Sequence, residues 1–262
     1  MRFIKMTLSI GLIFLFVFIG SSEINAQSNQ ALDLSTKRLR DRIQASGFIT
    51  SKPLTFWGSI VGTKDASVNL SEGEVVYLKL EAGKNVQPGD QFFIARVGKA
   101  VTHPVTKKKL GRLVLMPGEL TILEGKDQLV AAKIHKSFRP IYQGDLIIPP
   151  QPVLPESLPL RTPKRIEGIV LSSPEEAENI TQKEILFIDR GSQEGVIVGD
   201  LFSIYQMGDY SGDVRKREKA KLPLAKVGEA VVVSVQEETC AALVTVSTQA
   251  IYIGDKVISG RE

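Results

Sequence analysis

The chain repeats itself, and that repeat constrains its fold more than any single residue does. Shifted by 110 residues, Gly58-Ser59-Ile60-Val61 falls on Gly168-Ile169-Val170-Leu171, and Val75-Val76-Tyr77-Leu78 falls on Ile185-Leu186-Phe187-Ile188. The same offset puts Gly89-Asp90-Gln91-Phe92-Phe93-Ile94 on Gly199-Asp200-Leu201-Phe202-Ser203-Ile204. It also puts Ala131-Ala132 on Ala241-Ala242, and Tyr142-Gln143-Gly144-Asp145 on Tyr252-Ile253-Gly254-Asp255. Separated stretches that share one offset predict two similar folding units of about 90 residues each. Gly111 matches Gly228 only if the second unit carries a longer hairpin, which Gly208 to Leu224 supplies. That hairpin is expected to be the main difference between the units and the place for specialised contacts.

Each unit holds two Gly-Asp pairs, Gly89-Asp90 and Gly144-Asp145 in the first, Gly199-Asp200 and Gly254-Asp255 in the second. Every pair leads into an apolar run. Glycine enters the φ > 0 region at little cost, and an aspartate beside it can accept a backbone N–H across the turn. The pairs therefore read as structural turns, since a catalytic role would require all four to be sites. The pattern resembles the Gly-Asp box of small cradle-loop β-barrels.

Short runs rich in Val, Ile, Leu and Phe read as strands: Glu74 to Leu80, Gln91 to Arg96, Gly111 to Met116, Glu119 to Leu123 and Leu129 to His135. Val231 to Val235 and Ala241 to Val246 are almost continuously apolar, as strands covered on both faces are. One helix is expected over Leu34 to Ala45, capped by Asp33 or Ser35 and ended by Gly47. The fold class is thus mainly β: two tandem small β-barrel-like modules related by the repeat, with one short N-terminal helix. Six prolines between Pro149 and Pro163 mark a linker. It is either an extended spacer holding the modules apart or a strand-like strap lying along both. The expected divisions are residues 1–26, 27–53 for the helix and connector, 54–149 for module 1, 150–164 for the linker and 165–262 for module 2.

Residues 1–26 read as a secretory signal peptide: Arg2 and Lys5 precede an apolar run from Ile10 to Ile19, and Ala26 ends a cleavage-site pattern. The apolar run is shorter than the roughly 20 residues that span a bilayer. Membrane contact is therefore expected only through this peptide before cleavage. No cysteine near Ala26 offers a lipid anchor, so a periplasmic or secreted protein is expected. Cys240 is the only cysteine, which excludes an intrachain disulfide, and its apolar neighbours place it in a core. The chain carries +4, and removing Arg2, Lys5 and Glu23 with the leader leaves +3.

No catalytic residue is assigned, because no nucleophile elbow, phosphate loop or dinucleotide fingerprint occurs in the sequence. His103 and His135 lack metal-ligand spacing, so neither a metal nor another cofactor is expected, and surface or capping roles suit both. An enzyme would need one of them to converge with a carboxylate. The candidate partner or glycan contacts are Trp57, Lys107, Lys108 and Lys109, and the second hairpin's Arg215, Lys216 and Arg217. Trp57 reads more simply as the plug of a barrel end, and the cations as solvated hairpin tips. Nucleic acid is not an expected partner, because aromatics are not interleaved with the lysines.

Gly58-Ser59-Ile60-Val61, Gly73 to Leu78, Pro88 to Phe92, Thr102 to Thr106 and Gly144-Asp145 resemble the module that follows the LysM domain in bacterial peptidoglycan-binding LysM proteins. In the second unit, Phe187 to Ser192, Gly195 and Gly199 to Phe202 are similar to that module and to the C-terminal domain of the flagellar assembly protein T family. A LysM domain is not expected ahead of the first unit, since residues 27–46 are too few to form one. The resemblance implies an exported, non-catalytic envelope protein, a structural or interaction scaffold associated with the cell wall. Its expected partner is an envelope protein or a cell-wall polymer. The alternatives are a carbohydrate- or peptidoglycan-binding module and a flagellar assembly accessory protein.

Overall fold

The structure, a computed structural model, describes residues 31–33, 36–63, 70–126, 129–150, 155–161, 164–207 and 223–260. In chain order come β1 (Ala31–Asp33), α1 (Lys37–Ser46), β2 (Phe48–Thr50), β3 (Gly58–Thr63), β4 (Val75–Leu80), β5 (Gln91–Thr102), β6 (Lys109–Lys126), β7 (Leu129–Ser137) and β8 (Leu146–Ile148). There follow β9 (Ser157–Pro159), β10 (Ile166–Ser172), β11 (Asn179–Ile180), β12 (Ile185–Ile188) and a 3-10 turn at Ser192–Glu194. β13 (Leu201–Met207), β14 (Leu224–Val235), β15 (Cys240–Ser247), β16 (Ile251–Tyr252) and β17 (Lys256–Ser259) complete the chain. The signal-peptide segment and Arg215, Lys216 and Arg217 lie outside the described residues.

The fold is mainly β. The C-terminal strands close a barrel in the order β10-β12-β15-β14-β13-β17. In the N-terminal half the order β6-β5-β8-β3-β4-β7 returns to β6 through a β6–β7 pairing, and β2 adds a strand beside β6 outside this ring. Matched at the 110-residue offset, the strands of the two rings follow the same cyclic order. Alternate side chains turn inward, as the two-residue period of a strand requires. Val76, Leu78, Leu120, Ile122, Ala132 and Ile134 fill the first barrel. Leu186, Ile188, Phe202, Ile204, Val232 and Ala242 fill the second.

The four Gly-Asp pairs build one turn four times. Gly89, Gly144, Gly199 and Gly254 have φ of 94°, 91°, 96° and 97°, a region an L side chain enters only with strain. In each, an aspartate Oδ2 accepts the N–H three residues earlier: Asp90 from Gln87 at 2.7 Å, Asp145 from Tyr142 at 2.9 Å, Asp200 from Ile197 at 2.9 Å and Asp255 from Tyr252 at 2.8 Å. Each glycine also donates its N–H to the neighbouring strand, for example Gly89 to Ile122 O and Gly199 to Val232 O.

Three expectations need correction. The sequence predicts separate strands at Gly111–Met116 and Glu119–Leu123, but β6 runs unbroken through Pro117-Gly118. Its register against β5 shifts between Ile94 and Arg96, so the missing proline N–H falls where the ladder is already irregular. The same register overturns the match of Gly111 to Gly228. Gly118 lies opposite Ile94 and Ser137, and Gly228 lies opposite Ile204 and Ser247, so Gly118 is the counterpart and no longer hairpin is needed. The helix begins at Lys37 with Thr36 as its N-cap, because Asp33 belongs to β1.

The described stretch of the proline-rich segment, residues 155–161, is a strap. β9 pairs with β1, Leu158 is buried, and Arg161 bridges to Asp200 beside β13. Leu158 and Leu160 supply apolar anchors between the prolines, so the extended backbone adheres instead of spacing the modules.

Candidate interaction site at the junction of the barrels

The outer ends of β5 and β6 leave the first barrel as an arm, residues 97–115, that lies on the second. Val101, Leu110 and Leu113 of the arm, Ile43 of α1 and Ile49 of β2 pack against Leu171, Ile185, Phe187, Val231, Val233, Ala241 and Leu243 of the second barrel. Leu158 of the strap completes this cluster. The barrels therefore share an apolar layer and are not independent domains on a tether. β12, β14 and β15 are covered on both faces, inside by the barrel core and outside by the first module.

His103 and Asp189 meet inside this layer, with His103 Nε2 3.0 Å from Asp189 Oδ2 and both side chains buried. His103 Nδ1 accepts the N–H groups of Val105 and Thr106, each at 3.1 Å, so the ring proton sits on Nε2 and is donated to Asp189. Asp189 also accepts the Ile169 N–H at 2.6 Å on Oδ1 and Arg190 Nη1 at 2.7 Å on Oδ2. Gly168 makes room for it, because a Cβ there would stand 2.8 Å from Asp189 Oδ1. His103 is thus buried at the junction and not on the surface, because its loop closes onto the neighbouring barrel. With both nitrogens engaged it has none left for proton transfer.

Charges ring the seam. Lys52 pairs with Glu237, Lys99 with Glu176, Lys108 with Glu238 and Arg139 with Glu175, each across the two modules. Arg42 Nη1 donates to Lys183 O at 2.7 Å, and Thr239 Oγ1 donates to Ile49 O at 3.2 Å. Exposed pairs of this kind add little stability each. Of the three arm lysines, Lys108 is committed to Glu238, while Lys107 and Lys109 are exposed. A cavity of about 110 Å³ at the seam, lined by residues including Lys52, Leu110, Glu237 and Thr239, is far below the roughly 300 Å³ at which ligand pockets begin.

The corresponding face of the first barrel is built differently. Leu171, Ile185, Phe187, Val231 and Leu243 have Val61, Val75, Tyr77, Thr121 and Lys133 as counterparts at the 110-residue offset. The first set is buried or nearly so in the junction, while every member of the second is half-exposed or exposed. Val231 to Thr121 and Leu243 to Lys133 are the changes a solvated face requires. On this face His135 lies between Thr121 Oγ1, 3.1 Å from Nδ1, and Glu119 Oε2, 2.8 Å from Nε2. The order hydroxyl, imidazole, carboxylate is that of a nucleophile relay. The backbone donor beside Thr121 is nevertheless spent, since Ile122 N–H bonds Asp90 O, and Thr121 itself sits in register with Gln91 and Lys133.

Trp57 is half-buried against the first barrel's core, its ring centroid 5.2 Å from that of Phe92, and Lys84 Nζ stands 5.0 Å from its ring centroid. Tyr142 carries the Arg96 guanidinium 4.5 Å from its ring centroid. Cys240 is buried, and burial pushes its thiol well above the ordinary range, so it is a core hydrophobe.

The same turn is charged differently in the two barrels. Beyond the N–H within the turn, Asp145 receives a bidentate Arg96, at 2.8 and 2.6 Å, whereas Asp255 receives the neutral Gln206 Nε2 at 2.6 Å. Burial without a cation raises the Asp255 carboxyl above its usual range. The folded protein then holds this proton more tightly than the unfolded chain does, so the contribution to stability falls as pH rises through the raised value. Gln206→Arg is expected to stabilise the protein by about 1 kcal/mol at neutral pH, with the gain shrinking as pH falls through the carboxylate range. Thermal unfolding of the variant and the parent between pH 4 and 8 checks this.

Among the described residues, no group of three or more His, Cys, Asp or Glu is placed to hold a metal, and no helix is long and apolar enough to cross a membrane. Comparison with protein-family models finds no match, and comparison with curated proteins finds none.

Proposed function

We propose that this is an exported, non-catalytic protein of the bacterial cell envelope, a structural or interaction scaffold whose two barrels act as one body. The observation that carries the reading is the buried layer from Val101 to Leu243 that joins the barrels, with His103 and Asp189 locked inside it. A rigid body of this kind presents surfaces at fixed separation, which suits bridging and not turnover. The engagement of both His103 nitrogens and the spent Ile122 N–H beside Thr121 support a non-catalytic reading. The export signal and the LysM-associated turn-and-strand motifs supply the envelope context.

Incubating the mature protein with purified peptidoglycan sacculi at low and high salt, beside a LysM protein, tests it. The scaffold reading expects no retention beyond what high salt removes. Salt-resistant retention would replace it with direct glycan binding.

A further inference from the structure

The strap covers one Gly-Asp turn and leaves its counterpart open. In the second barrel, Arg161 N–H donates to Gly199 O and Leu201 N–H donates to Arg161 O, each at 2.9 Å, so the strap adds a short parallel bridge at Asp200. Pro159 O lies so close to Gly199 that a Cβ there would stand 2.5 Å from it. Asp200 is 1% exposed, and its Oδ1 is buried with no hydrogen-bond partner. In the first barrel Asp90 makes the same Oδ2 bond within its turn, yet nothing stands within 4 Å of a Cβ built on Gly89 and Asp90 is half-exposed. The turn chemistry is the same, and the strap is the difference.

Covering a carboxylate while leaving one oxygen unpaired is costly when the group is charged and much less so when it is protonated. We infer that the strap is a proton-linked clasp, which closes over Asp200 when that carboxyl is protonated and loosens when it is charged. Opening would release β1, which pairs with β9, and would uncover Leu158 and Leu160 from the layer between the barrels.

The groups that face Asp200 agree with this sign. Burial raises its carboxyl above the usual range and outweighs the Ile197 N–H and the Arg161 guanidinium, both of which favour the charged form. From β15 the Cys240 thiol feels Asp200 together with Asp189 and Glu194, and its own raised value keeps it neutral. The closed clasp therefore binds a proton more tightly than the open one. Its stability is highest at acid pH and is lost as pH rises through the raised value of Asp200.

Hydrogen exchange of the mature protein, corrected for intrinsic rates, reads this directly. Between pH 4.5 and 8, protection of residues 155–161 is expected to fall by up to about tenfold per pH unit within the titration window, while a β4 peptide stays constant. In Asp200→Asn the strap is expected to stay protected throughout, and in Asp90→Asn the wild-type fall is retained. A flat wild-type profile, or the same fall in Asp200→Asn, overturns the clasp. Should Asp200→Asn not fold, Arg161→Gln decides: removing that cation raises the closed-state value of Asp200 further, so the fall must move to higher pH if the clasp is right, and an unmoved fall or one moved to lower pH overturns it.

Discussion

Asp189→Ala is expected to lower the unfolding free energy by about 3–5 kcal/mol, the cost of breaking a buried polar pair by removing one partner. Three donors converge on this carboxylate, and two of them, the Ile169 N–H and His103 Nε2–H, would be left facing an apolar layer. Arg190 loses less, because its guanidinium is partly exposed and still reaches Asp189 O at 2.7 Å. Chemical denaturation of the variant measures the loss. A double-mutant cycle with His103→Ala is expected to show coupling of about 0.5–3 kcal/mol, since the two side chains share one hydrogen bond. A loss below about 1 kcal/mol would mean that water replaces the missing carboxylate and that the junction is not sealed.

Phe187→Ala is expected to cost about 3–5 kcal/mol, whereas Tyr77→Ala at the counterpart position costs about 1 kcal/mol or less. Both residues point outward from the same strand of their barrels. Phe187 is 1% exposed because the arm, β2 and the strap cover it, while Tyr77 is half-exposed on an open face. The difference therefore isolates the docking of the modules from the stability of a barrel. Phe187→Ala should also speed proteolytic cutting within residues 150–164, because a weakened layer releases Leu158. Equal costs at the two positions would show that the barrels do not rely on each other.

Much of the fold was legible because it rests on local chemistry. The Gly-Asp turns need only a residue that enters positive φ and an acid beside it, so four dipeptides announce four turns wherever they stand. Strand positions followed from apolar runs, and one error arose where the tertiary ladder absorbs an irregularity, at Pro117 in β6. The continuous apolarity of Val231 to Val235 and Ala241 to Val246 did signal two covered faces, although not what covers the outer one.

The junction was the part that could not be read. His103 precedes a proline in a polar loop and looks like a surface residue, and Asp189 lies 86 positions away with no motif joining them. The signal that was present is a comparison: at the 110-residue offset, Lys79 stands where Asp189 does and Lys133 where Leu243 does. One copy of a repeat having apolar residues where the other has polar ones on the outward face marks the copy that is covered.

By itself, then, the sequence determined the repeat, the turns and the mainly β fold, because each depends on contacts within a strand pair or a turn. Only the tertiary structure decided that residues 155–161 form a strap, that the arm of one barrel lies on the other, and that His103 and Asp189 are sealed between them. Those outcomes depend on apolar faces far apart in the chain finding each other, and burial of that kind is non-directional, so an apolar face in the sequence does not name what will cover it.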